Sequence, residues 1–159
     1  MLGDKAHSST GRLSLGNGYV RRAGGAGGEP DWSILVPPFG ATLTILMLLP
    51  DAAVAQPYAL IVGSVCGAAV GTGISLFGSS VGMAVLAMIA AFLVISLIHA
   101  YHPPGVALAS IPVLFHPGHW FPLLVVLPFT AAAVGSAAAM SKWLRGWPKY
   151  PKSLRDCAR

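Results

Sequence analysis

From Trp32 to Ser141 the chain runs for 110 residues with a single Asp, Glu, Lys or Arg, which is Asp51. Soluble domains carry about 25% charged residues, so no water-facing surface can be assembled from this stretch. Its side chains must be solvated by hydrocarbon, and the chain is expected to be an integral membrane protein in contact with the lipid bilayer. The basic residues stand at the two ends: Lys5, Arg12, Arg21 and Arg22 before the stretch, and Lys142, Arg145, Lys149, Lys152, Arg155 and Arg159 after it. A nucleic-acid footprint would gather such charges on one folded face. Here they flank spanning segments, and nucleic acid is not an expected partner. Lys and Arg are retained on the cytoplasmic side, so both termini are expected in the cytoplasm, with the domain in a bacterial inner (plasma) membrane.

About 20 apolar residues as a helix cross a hydrocarbon core roughly 30 Å thick. Four segments answer to this: Trp32–Pro50, Tyr58–Gly78, Val81–Tyr101 and Trp120–Trp143. Two basic ends on one side demand an even number of crossings, which four supplies. The remaining apolar piece, residues 104–115, reaches only about 18 Å as a helix. It is too short to cross and too apolar for a loop, which suggests a half-helix embedded at membrane depth. The fold class expected is therefore all-α, a polytopic membrane protein of four transmembrane helices with broken or half helices begun by Pro-Pro. Three regions follow: a disordered cytoplasmic tail over residues 1–31, a transmembrane domain over 32–147, and a basic cytoplasmic C-terminal tail over 148–159. The first 30 residues lack the apolar core of a cleavable signal peptide, and Cys66 and Cys157 are too differently placed to pair.

The second segment carries Gly63, Gly67 and Gly71, and the fourth carries Ala131, Gly135 and Ala139. Small residues at this spacing let helix backbones approach closely in lipid. Packing within one protomer is the first expectation and a dimer interface the second.

Two proline pairs punctuate the apolar stretch. "VPPFGATL" at 36–43 is echoed by "HPPGVALA" at 102–109. Proline suits the first turn of a helix, and the residue before it is pushed out of the α region. Each pair is expected to begin a helix, one near Pro38 and one near Pro104, with His102 closing the preceding helix. Irregular backbone at membrane depth persists where it is buried in protein or lines a cavity. A helix start offers free N–H groups and the positive end of a dipole, and broken helices in transporters aim such ends at anions or coupling ions. The expected substrate site is therefore Pro37, Pro38, Phe39, Gly40, Ala41 and Thr42, facing His102, Pro103, Pro104, Gly105 and Val106. Gly40 and Gly105 let a ligand approach the backbone, and Thr42 and Thr44 add hydroxyls. His102, an ionisable ring in an apolar region, is a candidate for handling protons. His99, His116 and His119, with Asp51, are expected on one membrane side, but their spacing lacks a zinc pattern. No metal or cofactor is expected. No GxSxG, P-loop or acidic pair occurs, and no base stands beside a nucleophile, so the chain is not expected to be an enzyme.

These motifs bring a family into view. "PPFGAT" at 37–42, "AQP" at 55–57, "HPPG" at 102–105 and "HW" at 119–120, in this order, resemble the HPP family of small integral membrane proteins. The likeness spans about Trp32 to Tyr150. It implies a four-span architecture and, from plant and cyanobacterial relatives, a link to nitrite transport. By position, the implied signature residues are His102, Pro103, Pro104 and Gly105, with Pro37, Pro38, Phe39 and Gly40. This chain continues with Val106, Ala107 and Leu108 where the family often has Gly-Ala-Thr. The expectation is a transporter or channel for a small monovalent anion, nitrite first, in a bundle thin enough to invite a homo-oligomer. The alternative is a structural or interaction membrane protein whose breaks serve packing alone.

Overall fold

The computed structural model describes residues 36–152. The expected N-terminal tail, His7 and residues 153–159 lie outside the described residues. Within them the chain is helical, with no strand. Six helices carry the fold: α1 (Val36–Leu48), α2 (Pro57–Ser75), α3 (Val81–Leu97), α4 (Pro103–Leu108), α5 (Ser110–Phe115) and α6 (Leu127–Trp143).

Local chemistry accounts for their limits. Extended Gln56 precedes α2, and Pro57 fills the first turn, where no N–H is needed. Ser80 caps α3 by accepting from the Met83 amide at 3.2 Å. α3 closes when His99 turns left-handed at φ 55°. The His99 amide then donates to Ser96 O (3.1 Å) and the Ala100 amide to Ile95 O (3.0 Å), the two bonds of a Schellman ending. Pro112 has no N–H to offer Leu108 O, and the helix breaks nearby, at Ala109, into α4 and α5. Pro128 likewise has nothing for Leu124 O. A wider turn over Pro122–Val126 absorbs the defect, with the Leu127 amide reaching back to Pro122 O.

The helices run between two ends. At one, the Asp51 end, lie the 49–57 connection, the turn at 98–102 and the residues after α6. At the other, the Gly78 end, lie residues 76–80 and 116–121. α2 is the hub and packs against α3, α4, α5 and α6. Phe39 of α1 packs beside Ala68 and Leu108, and Leu46 beside Ala55 and Leu60, so α1 runs toward the Asp51 end. Gly63, Gly67 and Gly71 meet Ala100, Gly105 and Ala109 in turn, so the 100–115 segment runs alongside α2 toward the Gly78 end. It is a pass of the bundle.

In chain order, α1, α2, α3, the α4–α5 pair and Pro122–Trp143 run in alternating directions. The 13 residues of Pro103–Phe115 supply about 20 Å as a helix. That falls short of a bilayer core about 30 Å thick. By length and apolarity alone, Pro57–Ser75 and Pro122–Trp143 can cross a membrane as single helices, while Pro37–Leu48, Val81–Leu97 and Pro103–Phe115 are shorter.

Packing depends on small residues. A Cβ added to Gly63, Gly67 or Gly71 would overlap Ala100 O, Gly105 O or Ala109 O respectively, and one on Gly105 would lie 2.6 Å from Gly63 O. Backbone meets backbone along this seam, as close-approach motifs allow. The glycines of α2 thus pack within one protomer. On α6 the inward residues are Ala133 and Ala137, while Gly135 has nothing within 4 Å of where a Cβ would stand. Large apolar side chains such as Leu86, Ile89, Leu93 and Leu124 point outward. In water such a belt would drive aggregation; in lipid it is solvated.

Candidate functional site

His102 stands at the bottom of the extended approach, immediately before α4, and is fully buried. A polar ring stays inside only if its nitrogens are partnered. Nδ1 lies 2.8 Å from Val54 O and Nε2 lies 3.1 Å from Thr42 Oγ1. A carbonyl only accepts, so Nδ1 carries a hydrogen and donates it to Val54 O. Thr42, itself buried, also reaches Pro38 O, one turn back on α1, at 3.0 Å. The two proline motifs are thus joined by side chains: Thr42 from the first touches His102 from the second. The ring pins α1, the 49–57 connection and the start of α4 at one point.

The proline pairs also share an open groove of about 370 Å³, with Pro37, Pro38 and Ala41 on one wall and Pro103, Pro104 and Ala107 on the other. Those walls are apolar. The helix starts do not face one another, because α1 runs toward the Asp51 end and α4 away from it. The Gly105 amide donates to His102 O at 2.9 Å, and the bare Cα of Gly105 admits the backbone of α2. Gly40 has open space around it. Phe39 turns to Phe129 of α6, ring centroids 4.0 Å apart, and Val106 packs with the buried alanines of α3.

Among the described residues four polar side chains are fully buried: Thr42, Ser64, His102 and Thr130. They come from α1, α2, the approach to α4, and α6. Thr130 bonds back to Val126 O and Leu127 O at 2.9 and 3.0 Å. Ser64 Oγ, beside the Gly63 that packs on His102, has no hydrogen-bond partner among the described residues.

What holds His102 in place is the 49–57 connection, which sequence reasoning passed over apart from its AQP motif. Gln56 Nε2 donates to Pro50 O at 3.0 Å, and Gln56 Oε1 accepts from the Lys152 amide at 3.0 Å. The Tyr150 hydroxyl donates to Ala55 O at 2.8 Å, and Lys152 Nζ pairs with Asp51 at 3.1 Å. Burial pushes the Tyr150 phenol up to about 12. The available signal was the lone acid of the apolar stretch facing a lysine beyond it. Of the basic C-terminal segment, then, residues 148–152 return to the connection at 51–56.

The other histidines do not join the site. His99 is exposed at the Asp51 end. His116 and His119 lie at the Gly78 end, where they line a cavity of about 230 Å³ with Thr72, Ser75 and Pro112. This corrects the expectation of one shared side, because the α4–α5 pair carries the chain across before His116. Among the described residues no three His, Cys, Asp or Glu side chains gather as a metal site.

A buried polar cluster in a lipid-facing, all-helical bundle with interrupted helices defines a polytopic integral membrane protein. The family model for the HPP transmembrane region matches residues 14–151, and the chain belongs to that family. Comparison with curated proteins and with solved structures finds no match.

Proposed function

We propose that the protein carries a small monovalent anion, nitrite first, across a plasma membrane, as a carrier or channel and not as an enzyme, and without a cofactor. The observation that carries this reading is the buried His102, bonded at both nitrogens where the second proline pair begins α4. Intramembrane ionisable groups are expensive to bury and mark ion or proton paths. Ser64 adds support, since a buried hydroxyl without a partner costs about 1–3 kcal/mol and is retained where a passing polar species can supply the bond. The groove between Pro37–Pro38 and Pro103–Pro104 lies beside this cluster and offers an approach from the bundle surface. Side-by-side copies in a homo-oligomer would give a thin bundle the girth that a pathway needs.

The test is uptake into proteoliposomes of nitrite, nitrate, formate and bicarbonate. Saturable nitrite entry is expected, lost in His102→Gln protein that melts in detergent like the wild type. Equal entry with and without the protein would end this reading.

A second reading has its own observation. The glycines of the α2 seam are fully accounted for by backbone packing, as a purely structural membrane protein requires. Protein that moves none of the four anions yet co-purifies with a constant membrane partner would favour it.

A further inference from the structure

Thr42 has one hydroxyl hydrogen and two acceptors in reach. Its Oγ1 lies 3.0 Å from Pro38 O and 3.1 Å from His102 Nε2. With a neutral ring, Nδ1–H is committed to Val54 O at 2.8 Å, so Nε2 is a bare lone pair. The Thr42 hydroxyl can donate to Nε2 or to Pro38 O, but not to both. One added proton reverses the bond between Thr42 and His102 without moving a heavy atom. Nδ1–H then donates to Val54 O, Nε2–H donates to Thr42 Oγ1, and the Thr42 O–H turns to Pro38 O. Three donors meet three acceptors in line. Losing that proton returns the hydroxyl to Nε2, and Pro38 O keeps its place in the α1 backbone ladder.

From this geometry we infer that His102, Thr42 and the carbonyls of Val54 and Pro38 form a proton-binding site, loaded at Nε2 and coupled to passage of the anion. The coupling rests on the transport reading above; the proton site does not. The step is a simple association: Nε2 gains one proton on loading and gives the same proton back on release. Nothing else titratable competes at the ring. α1 and α4 carry no ionisable side chain. On the 49–57 connection, Asp51 is engaged with Lys152. On α2, Tyr58 donates to Ile98 O and Cys66 packs with the α3 cluster. Tyr101 sits edge-on to Phe92, His99 is exposed, and Tyr150 donates to Ala55 O. None of these groups hydrogen-bonds to the imidazole. Thr42 is a positioning residue in this scheme, supplying the one oxygen that can face the ring as donor or as acceptor.

The test uses full-length protein in nanodiscs with ¹⁵N-labelled histidine, followed by NMR from pH 4 to pH 9 with no anion present. Wild-type Nε2 should pass from a lone-pair signal at high pH to an N–H signal at low pH while Nδ1 stays protonated throughout. Thr42→Val leaves a loaded Nε2–H without an acceptor, so its ring should remain neutral over the whole range. Thr42→Ser, which keeps the oxygen, should restore the titration. In parallel, nitrite uptake driven by an inward proton gradient should exceed uptake without one in wild type and Thr42→Ser, and lose that excess in Thr42→Val. A ring that never changes state, or that titrates identically in Thr42→Val, overturns the proton site even if nitrite enters. Titration as described without any anion flux keeps the proton site and removes the transport reading. Gradient-independent flux beside a titrating ring overturns the coupling.

Discussion

The two proline pairs look alike as sequence and are held quite differently. Pro103–Pro104 follows a buried, doubly bonded histidine, and the glycine after it lies on the backbone of α2. Pro37–Pro38 is followed by a glycine with open space around it, and its main tie to the second pair is one threonine hydroxyl. Proline sets a helix start in both places. What surrounds the start decides how closely it is packed: backbone closes on Gly105, and open space surrounds Gly40.

The largest expected effect tests the closely packed side of that contrast. Gly67→Ala places a Cβ against Gly105 O, and backbone cannot yield as a side chain could. A loss of about 3 kcal/mol or more is expected, at the upper end for overpacking, seen as loss of folded protein in detergent melts. Gly40→Ala, with nothing to strike, should be neutral or stabilise by up to about 1 kcal/mol. Equal damage from both would erase the distinction between the pairs. His102→Ala comes next. It strands Val54 O and Thr42 and opens a void where the ring stood, for about 3 kcal/mol, and uptake should fall with it.

Tyr150→Phe sharpens the comparison by loosening the connection that carries Val54. It removes the bond to Ala55 O for about 1 kcal/mol. The sign of its pH dependence is set by the raised phenol. Because the folded value, about 12, exceeds the ordinary value of about 10, the stabilisation is whole below about pH 10 and is lost as pH rises toward 12. Alkaline melts should therefore steepen in wild type relative to Tyr150→Phe. The smallest effect is expected at His99, whose left-handed φ suits glycine. His99→Gly should stabilise the α3 ending by about 1 kcal/mol, and a loss instead would show that the exposed ring has partners.

Much of the fold was legible because lipid imposes a simple demand. A stretch with one charge has to be helical and membrane-embedded, since only helices and closed barrels satisfy every backbone group there. The meeting of His102 with the first proline motif followed from reading both as breaks in one bundle. The course of the 100–115 segment was not legible. Nothing local in it says that it runs along α2 from the Asp51 end toward the Gly78 end. Nor was the role of Gly105. Glycine beside a signature proline is equally consistent with a ligand or with another helix at close range, and Gly63 settles which.

What the residues by themselves determined is the solvent, the helical class, the helix starts at the two proline pairs, and the small-residue face of α2, because each depends on local sterics or on the transfer of side chains into hydrocarbon. What only the tertiary structure decided is which glycine meets which carbonyl, that Val54 and Thr42 are the partners of His102, and that His116 ends up far from Asp51. Those facts depend on the direction in which each pass runs, and direction is a property of the assembled bundle that no short window of sequence contains.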